Sequence, residues 1–327
     1  MSFKNTILVT GGTQGLGYYA SLELARTHPE NLIIIASRTD PLSSAKTINT
    51  TLHQANVLFL PLDLNSFSQI RSFVSAFQAK NYPSITTLLL NAGIQFPKGI
   101  RYTADGFEAT FGVNHVGHAL LFHLLYPFLA EDARVVVTAS GTHDPAQKTG
   151  IPDAVYDTAE EVAHPKPGAE RINGRQRYAT SKLTNVLWMY ALNRRLEARG
   201  GKDGNGNGKR MSVVAFDPGL MPGTGLAREG SGVEKFVWIH VLPRLIWLLR
   251  RVISPNIWTP QESGRHLASV AVGEEFKGET GVYFEGRQKI KSSVVSYDVK
   301  KQEDLWEWTI KNVSSSEEER KRFDIGK

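Results

Sequence analysis

Ile7-Leu8-Val9-Thr10-Gly11-Gly12-Thr13-Gln14-Gly15-Leu16-Gly17 is the stretch that decides the fold. An apolar, β-branched run gives way to glycines, and Tyr19, Ala20, Leu22, Glu23, Leu24 and Ala25 then read as a helix. The order is strand, tight turn, helix N-terminus. Glycines let the backbone come close to a ligand, and the free N–H groups and dipole of a helix start favour a pyrophosphate there. Such a pattern alone is a weak signal, and its place at the opening of a strand–turn–helix unit gives it meaning. The bland alternative is a glycine-rich turn that only packs a helix on a sheet.

Outward from this turn, strands are expected at 6–10, 32–37, 57–61, 87–91, 134–140 and 211–218, with another near 280–284. Leu32-Ile33-Ile34-Ile35-Ala36 and Val135-Val136-Val137 are continuous apolar runs, as befits strands buried on both faces. Helical patterns fall between them at 15–27, 66–78, 104–125 and 177–198. The alternation predicts an α/β, Rossmann-type doubly wound parallel sheet of about seven strands flanked by helices. Residues 1–313 read as one dinucleotide-binding catalytic domain, with 142–176 an inserted polar loop, 200–210 a flexible surface loop and 314–327 a charged tail that frays.

The 327 residues carry a net charge of +6, are 41% hydrophobic and 21% charged, and include no cysteine. The length suffices for a sizeable core. The charge suits an anionic cofactor, but the basic residues are scattered, so no nucleic-acid partner is expected. The lack of cysteine excludes disulfides, thiolate catalysis and cysteine-ligated zinc. His115, His118 and His123 share one helical stretch, yet no carboxylate or thiolate completes a ligand set, so surface or interface histidines and no metal are expected.

No signal peptide is expected before the first strand, which points to a cytoplasmic protein. The apolar segment 233–253 is interrupted by Lys235, His240, Arg244, Arg250 and Arg251, with Pro243 in its middle, so it is a poor membrane span. It reads instead as an amphipathic helix pair within a substrate lid at 221–258, or as a peripheral membrane contact. Trp238, Trp247 and Trp258 flank it and suit a lid lining, a buried core or a membrane anchor, of which the lid is the expectation.

Tyr178 and Lys182 lie four apart at the start of a helical pattern, on one helix face. A phenol with a reference pKa near 10 is a poor acid–base group at neutral pH, and a neighbouring ammonium is expected to lower it. A second such pair, Tyr297 and Lys301, lies in a polar C-terminal stretch without catalytic neighbours and is read as a decoy. Ser140 and Asn91-Ala92-Gly93 end two strands at the carboxyl edge where open α/β sheets place ligands. Together with the glycine turn and the tyrosine helix they define one site.

On these residues the chain resembles the short-chain dehydrogenase/reductase family: TGxxxGxG at 10–17, NAG at 91–93, Ser140 at a strand end, and YxxxK at 178–182. The resemblance implies that Gly11, Thr13, Gln14, Gly15, Leu16, Gly17, Asn91, Ala92 and Gly93 hold the dinucleotide, Asp63 and Leu64 the adenine, and Pro218, Gly219 and Thr224 the nicotinamide end. Asn114 matches the asparagine that holds a relay water beside the lysine. The runs at 259–264, 281–284 and 305–307 are similar to the retinol dehydrogenase and protochlorophyllide reductase branch, which implies a bulky apolar substrate. In style the chain is similar to members serving specialised metabolism. In such proteins the helices at 104–125 and 177–198 pair two copies, making a homodimer an expected partner. Ser140 and Tyr178 are 38 positions apart, where the family usually has a dozen or so, so the inserted loop should lie beside the substrate.

An NAD-binding fold of this kind commonly presents an acid at the end of its second strand. Here Ser37 and Arg38 stand there, and an arginine pairs with a 2′-phosphate, so NADPH (NADP+) is the expected cofactor. Asp40 belongs to the following loop. The expected reaction is hydride transfer to a carbonyl or enone of an apolar small molecule, with Tyr178 as general acid, Ser140 orienting the oxygen, and Lys182 holding the ribose. Two rivals remain: an alcohol dehydrogenase oxidising a retinoid- or steroid-like alcohol, and a cofactor-binding sensor or scaffold without turnover.

Overall fold

The computed structural model describes residues 3–171, 173–200, 211–224, 232 and 236–326. The expected surface loop at 201–210 and the lid positions 225–231 and 233–235 lie outside the described residues. Eight strands form one sheet: β1 Thr6–Thr10, β2 Leu32–Ser37, β3 Val57–Pro61, β4 Ile85–Leu90, β5 Leu129–Thr138, β6 Ser212–Asp217, β7 Val282–Glu285 and β8 Gln288–Ile290. Their order is β3-β2-β1-β4-β5-β6-β7-β8, parallel throughout except for antiparallel β8 at the edge. The winding reverses between β1 and β4, and ligands of such sheets bind at that crevice.

Strand alternation divides the core. Leu8, Ile34, Leu88 and Val135 face one side, and Ile7, Val9, Ile33, Ile35 and Val136 face the other. The second side is closed by α1 (Gly15–Thr27), α2 (Ser44–Leu52) and α8 (Pro260–Val272). The first side is closed by α3 (Phe67–Ala79), α4 (109–125), α6 (Gly174–Gly200) and α9 (Val299–Val313). Short helices α5 (Ala159–Ala163), α7 (Ile246–Val252) and α10 (Glu317–Phe323) complete the set. Within α4 the backbone opens into a π-turn at Gly112–Val116, between the α-helical pieces Ala109–Phe111 and Gly117–Leu125.

Several expectations are corrected. Helix α4 begins at Ala109 rather than 104, because the Glu108 carboxylate accepts the Phe111 N–H at 2.8 Å and caps it there. The sheet has an eighth strand, three residues long and largely exposed, too short to show a period. Helix α2 was not foreseen, because only Ser44 and Ile48 of its polar sequence are buried; the Asp40 carboxylate accepts the Ser44 N–H at 2.7 Å at its start. The charged tail does not fray: α10 packs on the body with Phe323 buried, and Glu319 takes a two-pronged bond from Arg71 at 2.7 and 2.8 Å. His115, His118 and His123 are core rather than surface residues, since α4 is covered by α3, α6 and α9.

The lid is no plain helix pair. A π-turn at Val237–Val241 meets a 3-10 turn at Leu242–Leu245, where Pro243 interrupts the helix, and α7 follows. No helix among the described residues is long and apolar enough to cross a membrane.

Candidate active site

A cleft of about 1290 Å³ opens at the carboxyl edge of the sheet, exceeding the usual 300–1,000 Å³ of small-molecule sites. Its floor is the turn between β1 and α1. Gly11 has φ +69°, and a Cβ on Gly17 would stand 2.3 Å from the Gly11 carbonyl oxygen, so the turn closes only with glycine there. Gly11, Thr13, Gln14, Gly15, Leu16 and Gly17 all line the cleft. Asn91, Ala92 and Gly93 lie directly beside the turn, where the Thr10 hydroxyl accepts the N–H groups of Asn91 and Ala92 at 2.8 and 3.0 Å.

At the outer end, Ser37, Arg38, Asp63 and Leu64 line the wall. The Ser37 hydroxyl is buried without a hydrogen-bond partner. Asp40 is turned away into the cap of α2, leaving Arg38 as the charged group at the end of β2. Arg38, Arg101, Lys148, Arg175 and Lys182 face the cleft against two carboxylates, Asp63 and Asp217. This balance suits a polyphosphate.

At the inner end, α6 brings Tyr178 and Lys182 beside Ser140, which follows β5. The Ser140 hydroxyl stands close enough to the Tyr178 phenol to favour its ionised form, and Lys182 Nζ lies 5.5 Å from the centroid of the Tyr178 ring. Lys182 Nζ donates to the Thr138 carbonyl at 2.9 Å. All three residues line the cleft. The expectation that lysine lowers the phenol is corrected. Burial, then the negative charge of Asp217, push Tyr178 above the ordinary phenol value, and the neighbouring Ser140 hydroxyl only partly opposes them. Burial likewise takes Lys182 down to about 8, with Asp217 opposing.

Asn114 sits in the π-turn and does not line the cleft. Its side-chain oxygen accepts the Ile94 N–H at 2.8 Å, and its amide donates to the Ile94 carbonyl and the Ser181 hydroxyl, both at 3.0 Å. The space it borders with Lys182 lies at Gly93, whose added Cβ would be 3.6 Å from both Asn114 Oδ1 and Lys182 Nζ. The expected nicotinamide-end residues Pro218, Gly219 and Thr224 line the cleft, and Thr224 faces Gly15 across it, with its methyl 4.0 Å from an added Cβ.

The inserted loop contributes Thr142, Gln147, Lys148, Thr149, Gly150 and Ile151 to the wall, and the lid adds Met221, Val237, Trp238, Leu242 and Ile257. The decoy pair is separated. Tyr297 accepts the Ser292 N–H at 3.3 Å, while the Lys301 ammonium donates to the Tyr156 carbonyl instead.

Sequence reasoning missed Asp217 and the part played by His118 beside the site, and placed His143 three residues past Ser140 as a substrate contact or an ordinary loop histidine. Asp217 is a buried carboxylate closing the apolar run Val213-Val214-Ala215-Phe216, and a charge at that place was the available signal. His143 donates from Nδ1 to the Ser140 carbonyl at 2.7 Å and accepts the Ser293 N–H at Nε2, tying the serine turn to the chain after β8. His118 donates from Nδ1 to the Asn114 carbonyl at 3.0 Å and meets the Thr10 hydroxyl at 2.9 Å. The spacing placed His143 near Ser140 but not its tie to Ser293, and nothing in it announced the His118 contact.

Residues 5–157 match the family model described as short chain dehydrogenase, and 229–321 match that of the AcuH dehydrogenase domain. Polyprenol dehydrogenase of Homo sapiens is 33% identical over 312 residues, covering 91% of this chain and 82% of the relative. Protochlorophyllide reductase of Daucus carota is 28% identical, covering 95% and 78%. Among solved structures, an uncharacterised protein from Mycobacterium paratuberculosis superposes with a TM-score of 0.67 at 24% identity, covering 95% of this chain and 94% of that one. This last likeness shows the fold alone. By its relatives and motifs the chain belongs to the short-chain dehydrogenase/reductase family of oxidoreductases, in the branch that holds retinol dehydrogenases and protochlorophyllide reductases.

Proposed function

We propose that the protein is an NADPH-dependent reductase of a carbonyl, or a conjugated enone, on a bulky apolar small molecule. One observation carries the reading: Tyr178, Ser140 and Lys182 meet in a cleft whose other end is a glycine cradle with Arg38 above it. The cofactor, when bound, supplies the hydride. Gly11 to Gly17 receive its pyrophosphate at the start of α1, while the free Ser37 hydroxyl and Arg38 receive the 2′-phosphate. Asp63 and Leu64 border the adenine, and Asn91, Ala92, Gly93, Pro218, Gly219 and Thr224 complete the dinucleotide wall.

Ser140 donates a hydrogen bond that orients the substrate oxygen, and Tyr178 gives it a proton as charge develops. The Tyr178 phenol, held above its ordinary value by burial, is protonated at neutral pH and so has a proton to give. Lys182 holds the ribose, and Asn114 positions a relay water beside it. We read 1–313 as one catalytic domain, with 142–176 and 221–258 enclosing an apolar substrate; the names of the relatives, polyprenol and retinol dehydrogenases, accord with such a substrate.

Phe236, Ile239, Trp247 and Val252 are exposed on the outer face of the lid beside Arg244 and Arg251, a composition suited to peripheral contact with a lipid surface. The reading is tested by following NADPH and NADH consumption with a panel of ketones, enones and quinones. NADPH-dependent turnover is expected. A more than tenfold preference for NADH, or no turnover despite tight NADPH binding, contradicts it.

A further inference from the structure

Asp217 ends β6 at 2% exposure, a carboxylate where the strand is otherwise apolar. Its Oδ1 accepts the Gly219 N–H at 3.0 Å, and its Oδ2 accepts the Asn256 amide at 3.0 Å. A Cβ on Gly141 would stand 3.1 Å from Oδ2, so the carboxylate lies against the peptide that follows Ser140. Asn256 passes the tie onward. Its side-chain oxygen accepts Trp258 Nε1 at 2.8 Å, its carbonyl accepts the Leu220 N–H at 2.9 Å, and Trp258 N–H returns to the Leu220 carbonyl at 2.9 Å. These contacts join the two ends of the lid.

We propose that Asp217 is a positioning residue of the reaction: its carboxylate fastens the turn after Ser140, the turn after β6 and the stem of the lid to one another, and places its charge in the cleft that Lys182 also lines. The inference rests on the reading of Tyr178 and Lys182 as the acid–base pair. The backbone and amide partners of Asp217 can only donate, so they are satisfied by the ionised form, against a burial that raises its pKa. The titratable groups that face it are Tyr178 and Lys182 from α6 and Tyr283 and Glu285 from β7, with Asp144 beyond Tyr283. Lys182 is the cation of that set. Burial draws Lys182 down to about 8 and the Asp217 charge opposes it, so loss of the carboxylate moves the lysine further down.

The test uses the full chain labelled with 13Cε-lysine, the Lys182 resonance being assigned by its absence in Lys182→Met. In Asp217→Asn the Lys182 midpoint is expected to fall by about one unit or more, Asp217→Ser is expected to do the same, and Asp217→Glu to restore it. The alkaline limb of kcat/KM for NADPH-dependent reduction of 9,10-phenanthrenequinone moves to lower pH in parallel. Asn256→Ala breaks the tie to the lid with the charge kept, so it raises KM and leaves the Lys182 midpoint in place. An unmoved midpoint in both uncharged Asp217 variants, or an equal shift in Asn256→Ala, overturns the proposal. The lysine titration needs no turnover, so a wild-type chain that reduces nothing refutes the proposed reaction without touching the charge role.

Discussion

At the scale of single residues, the cofactor reading concentrates on Arg38. It stands exposed at the end of β2 with the buried, unpartnered Ser37 hydroxyl beside it, while Asp40 is occupied in capping α2. A charge-assisted bond to a phosphate is worth about 1.5–3 kcal/mol, and each 1.4 kcal/mol is tenfold in affinity. Arg38→Ala is therefore expected to weaken NADPH binding by about ten- to a hundredfold and leave NADH binding nearly unchanged, read by fluorescence titration. Equal losses for both cofactors contradict the assignment. These residues were legible because the motif fixes their place relative to a strand end. Asp217 was not read as functional, because its role depends on Gly141 and Asn256, distant in sequence and joined only when β5, β6 and the lid stem meet. The direction of the Tyr178 shift escaped for the same reason: spacing reveals the lysine four residues away, but neither the burial nor the carboxylate behind it.

At the scale of elements, α4 carries three buried imidazoles. Burial holds His115 and His123 down to about 3 and His118 to about 4, well below the unfolded value near 6.5. The folded chain keeps them neutral while the unfolded chain takes up protons below pH 6.5. Their stabilising contribution is therefore complete above that pH and is lost as pH falls towards 4, by about 2 kcal/mol for each imidazole at pH 5. His123 has both ring nitrogens without a hydrogen-bond partner and stacks on Phe323 at 4.9 Å. His123→Leu is expected to flatten the fall in denaturation midpoint between pH 7 and pH 5, and an unchanged slope contradicts this account of α4. Helices with a strong apolar period and strands with continuous β-branched runs were readable from sequence. The exceptions were polar α2, three-residue β8 and α10, whose stability comes from a cap or a tertiary contact rather than from a pattern.

At the scale of the whole molecule, the C-terminal segment belongs to the folded body. Phe323 is 1% exposed, so Phe323→Ala should cost about 3–5 kcal/mol, seen as a lower urea midpoint with an unchanged slope. The lid has one face on the cleft and another, bearing Phe236, Ile239, Trp247 and Val252, towards solvent. If that outer face meets lipid, the protein co-sediments with anionic vesicles, and Trp247→Ser with Val252→Ser reduces the bound fraction severalfold; sedimentation indifferent to both changes rejects the contact. The central claim, that one cleft unites a glycine cradle with a tyrosine acid, is tested most directly by comparing Tyr178→Phe with Tyr297→Phe in NADPH-dependent carbonyl reduction and in NADPH binding. The expected result is a loss of about 10²–10⁴-fold in turnover for Tyr178→Phe with NADPH binding kept, and wild-type turnover for Tyr297→Phe. Turnover surviving in Tyr178→Phe, or falling equally in both, contradicts it.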